Sequence, residues 1–407
     1  MKLREHKGFV RFWTASTTSN FGTNITTIAL QVLVVVNMGG SAVDVGWVSS
    51  SRWLPYVLLG LIAGVLVDRF NRKTVLVVTD MGRGIIFAFI CLLAVTGVLS
   101  IGWLMILLLL FGAMSLFNDV AYRSFVPQLV PRPLLTRAYA RLEQSAAVAE
   151  TGGPAIGGGL VSWIGAPFAL LVDAVSYLFS GVLMASVKHQ PSDKLKVGPL
   201  GQQIKEGLQW VYQHQYLRTL ALNTHVWFFF HSMTMTVLVS FFLIELGFDA
   251  SHLGIALAAA GVGAVAGTSL STRAGNRLGI GRAMAFSRIL YAPAVIVMAL
   301  APAANNSDPL NIALIFAVGQ LLYGFAMGIE GPLETGYQQY VTPSHLQGRM
   351  NATMRSINRS VVVIGAPLGG AIADGLGFLA ALWISIAGLA LCGLWFSFSS
   401  MRKAQIK

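Results

Sequence analysis

Charge is what this 407-residue chain has least of. Only 11% of its residues are charged, whereas 55% are hydrophobic and the mean hydropathy is +0.68. A domain folded in water carries roughly 25% charged residues, so a solvated surface for a chain of this length is excluded. Cysteine is equally scarce. Cys91 and Cys392 both sit inside apolar runs, which excludes a disulfide framework or a cysteine metal site and leaves two buried thiols. The Gly-x-x-x-x-Gly-Lys-Ser/Thr loop of ATP-hydrolysing sites is missing, as are His-Glu-x-x-His, Cys-x-x-Cys and Gly-x-Ser-x-Gly. No enzyme activity, cofactor or metal is therefore expected. The run Gly261–Gly267 imitates a dinucleotide loop, but no strand pattern precedes it, and close helix packing by small residues is the expectation.

One class of connector also lacks lysine and arginine altogether. Residues 39–44, 97–102, 247–251, 302–309 and 374–377 carry neither, while 69–73, 188–196 and 273–282 are basic, and the two kinds alternate along the chain. Cytoplasmic loops keep Lys and Arg and translocated loops lose them. The alternation therefore predicts an inner-membrane protein with both termini cytoplasmic. The net charge of +12 is spread over these short loops, not gathered into the contiguous basic patch that nucleic acid requires. A spanning helix needs about 20 mostly apolar residues. Twelve segments qualify: 11–38, 43–66, 74–97, 100–122, 141–164, 166–187, 217–246, 252–272, 283–302, 310–332, 347–373 and 377–400. Lys2, Arg4 and Lys7 precede a run too long for a signal peptide, so it reads as a retained first span.

The spans divide into an N-terminal half, 1–187, and a C-terminal half, 217–407, joined by a linker, 188–216. In the linker Leu200, Ile204, Leu208 and Val211 recur at helical spacing, which fits a helix at the inner membrane surface or a solvated linker helix. The halves repeat. Pro131-x-x-Leu134-x-x-Arg137 matches Pro343-x-x-Leu346-x-x-Arg349, and the Gly-Pro run at 153–158 matches 366–370. Helices broken at corresponding positions of two halves point to a transporter with its site at the repeat interface.

Between spans 2 and 3 stands Gly64-Val65-Leu66-Val67-Asp68-Arg69-Phe70-Asn71-Arg72-Lys73. Its spacing, Gly-x-x-x-Asp-Arg-x-x-Arg-Lys, resembles the loop signature of the major facilitator superfamily. The stretch Ala121–Pro131 and the Glu206-Gly207-Leu208 helix resemble the branch of macrolide-efflux and siderophore-exporting drug:proton antiporters. The resemblance implies an all-α membrane fold of twelve transmembrane helices in two pseudo-symmetric six-helix halves. It also implies that the motif of Gly64, Asp68, Arg69, Arg72 and Lys73 is a gate latch, with Asp68 as the latch and Arg69 and Arg72 as helpers. The family has Gly where Asn71 stands; Asn tolerates a left-handed backbone, so the turn is expected to survive. In the second half Ser271 falls where the acid would be, so a second latch is weakened or absent.

Ionisable residues at membrane depth are functional candidates. Asp80 and Arg83 are three apart and expected to pair; Asp173 and Arg288 are expected to be satisfied by neighbours. Glu150, Glu330, Asp119 and Arg52 remain as proton-coupling candidates, with Glu150 favoured over Glu330 and an Arg52–Glu150 salt bridge as the bland reading. Glu330 lies 212 residues after Asn118. The cavity-lining spans implied by the resemblance offer Asn20, Asn24, Asn118, Trp227, His231, Tyr323, Arg355 and Asn358 as substrate contacts. His225 and His231 either titrate near their reference pKa of about 6.5 or simply pack. The resulting expectation is a monomeric secondary transporter that exports hydrophobic or amphipathic, drug- or macrolide-like small molecules by proton antiport. A siderophore or other metabolite exporter is the alternative, and a membrane-embedded sensor or enzyme the distant one.

Overall fold

The structure is a computed structural model that describes residues 3–60, 62–187, 200–303, 309–343 and 346–404. Among these residues it is helical throughout, with no strand. The first part of the chain forms α1 (Lys7–Val32), α2 (Ala42–Leu59), α3 (Ala63–Asp68), α4 (Arg72–Val95), α5 (Ile101–Phe125), α6 (Leu135–Ile164) and α7 (Ala166–Ala185). The second part forms α8 (Leu200–Gln213), α9 (Gln215–Ser240), α10 (Ala250–Leu278), α11 (Ile280–Ala299), α12 (Pro309–Val341), α13 (Gln347–Leu376) and α14 (Phe378–Phe398).

These helices are sorted for lipid, not water. On α4 the outer face is Val78, Ile85, Phe89 and Leu92, all exposed, while Thr79, Asp80 and Arg83 are buried. Apolar side chains face outward because hydrocarbon is the solvent, and polar ones face inward because they must find partners in protein. Among the described residues ten helices are long and apolar enough to cross a membrane. The two other expected spans differ for local reasons. Span 2 is not one helix but two, α2 and α3, interrupted between Leu59 and Ala63. Span 5 is the 30-residue α6, whose hydropathy is diluted by Arg137, Arg141, Glu143, Glu150 and a glycine-rich second half.

Two units are distinguishable: residues 1–33 with 51–200, and residues 34–50 with 201–407. The N-terminal half of α2 thus belongs with the second unit, a division that the expected boundary at 187 does not anticipate. There Asp374 accepts from the backbone N–H groups of Ala42 (3.1 Å) and Val43 (2.9 Å), capping the N-terminus of α2.

The repeat holds in the fold residue by residue. α1 and α9 begin at 7 and 215, and both run 26 residues before a π-helical turn, Leu33–Asn37 and Phe241–Glu245. Both then reach a glycine with positive φ, Gly39 and Gly247. α6 and α13 are 30 residues each, 212 positions apart at both ends, and each is followed by a single left-handed glycine, Gly165 or Gly377. Only glycine adopts that conformation without cost, which is why one residue suffices to reverse the chain.

Small residues set how closely the helices approach. A Cβ at Gly263 or Gly267 of α10 would strike the carbonyl oxygen of Leu321 or Phe325 on α12; one at Gly324 or Gly328 would strike that of Ala260 or Ala264. The run that imitates a dinucleotide loop is therefore half of a reciprocal seam. Its counterpart in the first unit is Gly112 of α5 against the carbonyl of Arg52. Proline breaks are repaired by hydroxyls of neighbouring helices. Pro332 removes the N–H that Gly328 O would accept, and Thr268 Oγ1 donates to that oxygen at 3.2 Å. Pro367 likewise frees Val363 O, which accepts from Ser50 Oγ at 2.8 Å.

The loop after α3 corrects two expectations. Asn71 has φ −69 and ψ 120, not a left-handed backbone; its side chain accepts from Lys73 N and caps α4. The left-handed residue is at the equivalent position of the second unit, Gly279 with φ +85. That register aligns Asp68 with Asn276 and Arg69 with Arg277, so Asn276, not Ser271, occupies the acid's position. Lys73 Nζ donates to Ala185 O at 2.6 Å, completing the C-terminus of α7. Arg69 is exposed and Arg72 half-buried. The surroundings of Gly64, the side chain of Asp68 and the linker residues 188–199 lie outside what the structure describes.

α8 is neither free nor spread on a membrane alone. Glu206 pairs with Arg349 of α13, Trp210 Nε1 donates to Thr342 Oγ1 at 3.1 Å, and Val211 is buried. His214 then caps α9, its Nδ1 accepting from Leu217 N at 3.3 Å.

Two outcomes follow. Gly324→Val and Gly328→Val should each destabilise the detergent-solubilised protein by ~1–3 kcal/mol, read as a lower unfolding temperature. Gly336→Ala, where nothing lies within 4 Å, should not. Partial burial lowers the His214 pKa, so its neutral, capping form is favoured by folding. That contribution is complete above the unfolded-state value of about 6.5 and is lost as pH falls through the lower folded value. His214→Asn, a cap that does not titrate there, should reduce the acid-side loss of unfolding temperature; an unchanged pH profile would remove His214 from the account.

Candidate functional site

Each unit buries a polar cluster where its spans cross, and the two clusters occupy equivalent positions. In the first unit Asp80 and Arg83 of α4 form the expected ion pair. Asn118 Nδ2 of α5 donates to Asp80 Oδ1 at 2.9 Å and to Thr79 Oγ1 at 2.7 Å, and Ser180 Oγ of α7 donates to Asp80 Oδ2 at 2.6 Å. The Arg83 guanidinium lies 4.3 Å from the Tyr177 ring centroid. One turn away Ser16 of α1 and Tyr122 of α5 share a hydrogen bond of 3.0 Å. Asp173, fully buried on α7, accepts from Thr26 Oγ1 at 2.5 Å and Ser176 Oγ at 2.8 Å, as expected of a residue satisfied by its neighbours.

In the second unit Arg288 of α11 takes the place of Asp80, and Glu330 of α12 that of Asn118. The two form an ion pair, and Arg288 is 1% exposed. Arg288 Nη2 also donates to Glu334 Oε2 at 3.2 Å and to Thr224 Oγ1 of α9 at 3.0 Å. Tyr291 OH donates to Glu330 Oε2 at 2.7 Å, Thr224 Oγ1 to Glu334 Oε1 at 3.0 Å, and Gln338 Nε2 to Glu334 Oε1 at 2.9 Å. Beside this centre, Trp227 stacks on His231 at 4.5 Å between ring centroids, and His231 Nδ1 shares a 2.7 Å hydrogen bond with Tyr323 OH. The Arg288 guanidinium lies 5.4 Å from the Trp227 ring, linking the aromatic and ionic groups.

The remaining candidates are dispersed. Arg52 is half-buried, 5.2 Å from the Phe111 ring and 5.4 Å from the Trp53 ring. Glu150 is exposed on α6, and among the described residues it forms no ion pair with Arg52. Asp119 accepts from Tyr56 OH at 2.9 Å. Asn118 is part of the Asp80 cluster. Trp227 and Tyr323 are buried, and so do not by themselves make an open apolar pocket. Asn20, Asn24, His231, Arg355 and Asn358 are half-buried. Asn24 is packed under Gly153 of α6, and Asn358 Oδ1 shares a 2.6 Å hydrogen bond with His225 Nδ1, whose Nε2 meets Tyr212 OH at 2.8 Å. His225 is thus a fully engaged packing residue joining α8, α9 and α13.

Sequence reasoning missed Glu334, Thr224, Tyr291 and Gln338. A signal was present: Glu330, Glu334 and Gln338 recur every fourth residue, a polar stripe that Thr342 continues just past the end of α12.

The chain is 27% identical to the multidrug efflux pump Tap of Mycolicibacterium fortuitum over 375 residues, covering 89% of this chain and 88% of that protein. It is 26% identical to the multidrug efflux pump Tap of Mycobacterium tuberculosis over 399 residues, covering 91% and 88%. Among solved structures it resembles a bacterial homologue of the iron transporter ferroportin in an inward-facing state, with a TM-score of 0.73, 16% identity and coverage of 97% and 98%. It also resembles the nucleoside transporter NupG, with a TM-score of 0.76, 11% identity and full coverage of both chains. At those identities the structural likeness establishes the fold. The model of the transmembrane secretion effector family matches residues 3–407, so the chain belongs to that family of major facilitator transporters and is a membrane transporter, not an enzyme.

Proposed function

We propose that this transporter exports hydrophobic or amphipathic small molecules from the cytoplasm in exchange for protons, from an inner membrane it spans twelve times with both termini inside. The observation that carries the reading is the likeness to Tap efflux pumps along both halves of the chain. A shared fold alone would leave the direction of transport open. Chemistry supports the rest. The stack of Trp227, His231 and Tyr323 lies beside the buried ionic centre, a flat, polarisable wall suited to varied ring systems once the transport cycle opens a cavity against it. The carboxylates buried beside them give a transporter without an ATP-hydrolysing motif a way to respond to a proton gradient.

Two measurements test this. Expressed in a pump-deficient bacterial host, the protein should lower cellular ethidium accumulation, and a protonophore should abolish the effect. Ethidium export that persists after the gradient collapses would remove antiport. Orientation is tested by single cysteines in a background lacking Cys91 and Cys392. Val98→Cys, in the Lys/Arg-free connector between α4 and α5, should react with a membrane-impermeant maleimide in intact cells. Arg277→Cys should react only after lysis, and the reverse pattern would invert the topology.

A further inference from the structure

We infer that Glu330 and Glu334, held by Arg288, share one exchangeable proton. This rests on the antiport reading for its role in transport, but the site itself follows from counting charge. One guanidinium faces two carboxylates, so the buried group carries one negative charge in excess. The other polar partners are neutral: Thr224 from α9, Tyr291 from α11, Gln338 and Tyr323 from α12, and Cys392 from α14. The described cations of α10, Arg273 and Arg277, are exposed and do not balance it. An unbalanced charge in a low-dielectric interior is costly, and the smallest way to cancel it is to bind one proton.

The first unit shows that the excess is not needed for architecture. Its equivalent positions are Asp80 for Arg288, Asn118 for Glu330, Tyr122 for Glu334 and Ser16 for Thr224. The same spans are joined there by Asn118–Asp80 and Ser16–Tyr122 hydrogen bonds, with Arg83 balancing Asp80. A neutral amide and a phenol therefore hold a repeat together where the other repeat places two carboxylates. The scaffold is served twice, and the surplus charge occurs once.

Access also differs within the pair. The Glu330 side chain is 5% exposed and that of Glu334 16%. Glu334 continues through Gln338 to Thr342, at the end of α12 expected to face the cytoplasm. A hydronium ion arriving through water would protonate the Glu334 carboxylate: one of its O–H bonds breaks, one forms on the carboxylate, neutral water leaves, and the group goes from a charge of minus one to zero. Arg288, bonded to both acids, then lets the proton reside on either. Pro332 lies between the two carboxylates, so the shared charge spans the break in α12 and senses any change in its bend.

The test uses purified full-length protein and inside-out membrane vesicles. Infrared titration should show a protonated-carboxyl C=O band appearing as pH falls, lost in Glu334→Gln and in Glu330→Gln and restored in Glu334→Asp. In vesicles a one-unit pH gradient exchanging one proton per ethidium cation sustains about a tenfold concentration ratio. Both Gln variants should lose that accumulation while keeping ethidium counterflow. A band that survives in both variants, or gradient-driven accumulation that survives in both, overturns the shared proton. If Glu334→Gln does not fold, the double variant Arg288→Gln, Glu330→Gln decides: it removes the balanced pair and must keep the band, and losing it refutes the assignment. A band present in wild type whose ethidium transport ignores the gradient would sink antiport and leave the site standing.

Discussion

Hydrocarbon offers no hydrogen bonds, and nearly every feature of this chain answers that constraint. Backbone polarity is absorbed by helices. Where proline interrupts a helix, a hydroxyl from a neighbour supplies the missing donor, as Thr268 and Ser50 do for Gly328 and Val363. Side-chain polarity is gathered into clusters such as those around Asp80 and Arg288, and the large side chains on the outer faces are mostly Val, Ile, Leu, Phe and Trp. Association between helices then rests on contact and on polar bridges, since burying apolar surface against apolar lipid contributes little. Glycine seams such as that between α10 and α12 bring backbones close enough for both to operate.

The two units solve one geometric problem with different residues. Gly22 of α1 accommodates Asp173 and Ser176 of α7; at the equivalent crossing in the second unit Phe230 of α9 fills the space left by Gly388 of α14. Bulk has moved from one partner to the other while the helices kept their register. Charge has been redistributed in the same way: the acid of the first cluster stands where the second has its arginine. Such exchanges show what the fold requires, namely filled volume at each crossing and an opposite partner for a buried charge, and what it leaves open to function, namely which residue carries the charge.

Much of this was legible in the sequence, for physical reasons. Hydropathy and the Lys/Arg asymmetry locate helices because solvent exclusion acts on every residue of a span. The pairing of Asp80 with Arg83 followed from three-residue spacing, since that spacing places side chains on one helix face. What escaped notice depends on angles between helices. Asn71 was expected to replace glycine in a left-handed turn, but it works as a helix cap, and the composition of the loop does not distinguish the two. Glu334 was overlooked beside Glu330 because its partners, Arg288 and Thr224, come from two other helices. Span 2 read as continuous because its apolar run is continuous, although the helix breaks after Leu59.

One small feature constrains how such a protein moves. The corner between α6 and α7 is one residue, Gly165, and that between α13 and α14 is one residue, Gly377. With φ near +84 and +91 these corners take a backbone conformation that only glycine adopts without strain. A connection of one residue leaves the paired helix ends no room to separate, so α6 with α7, and α13 with α14, stay joined at the tip like the two arms of a compass, whatever angle they take.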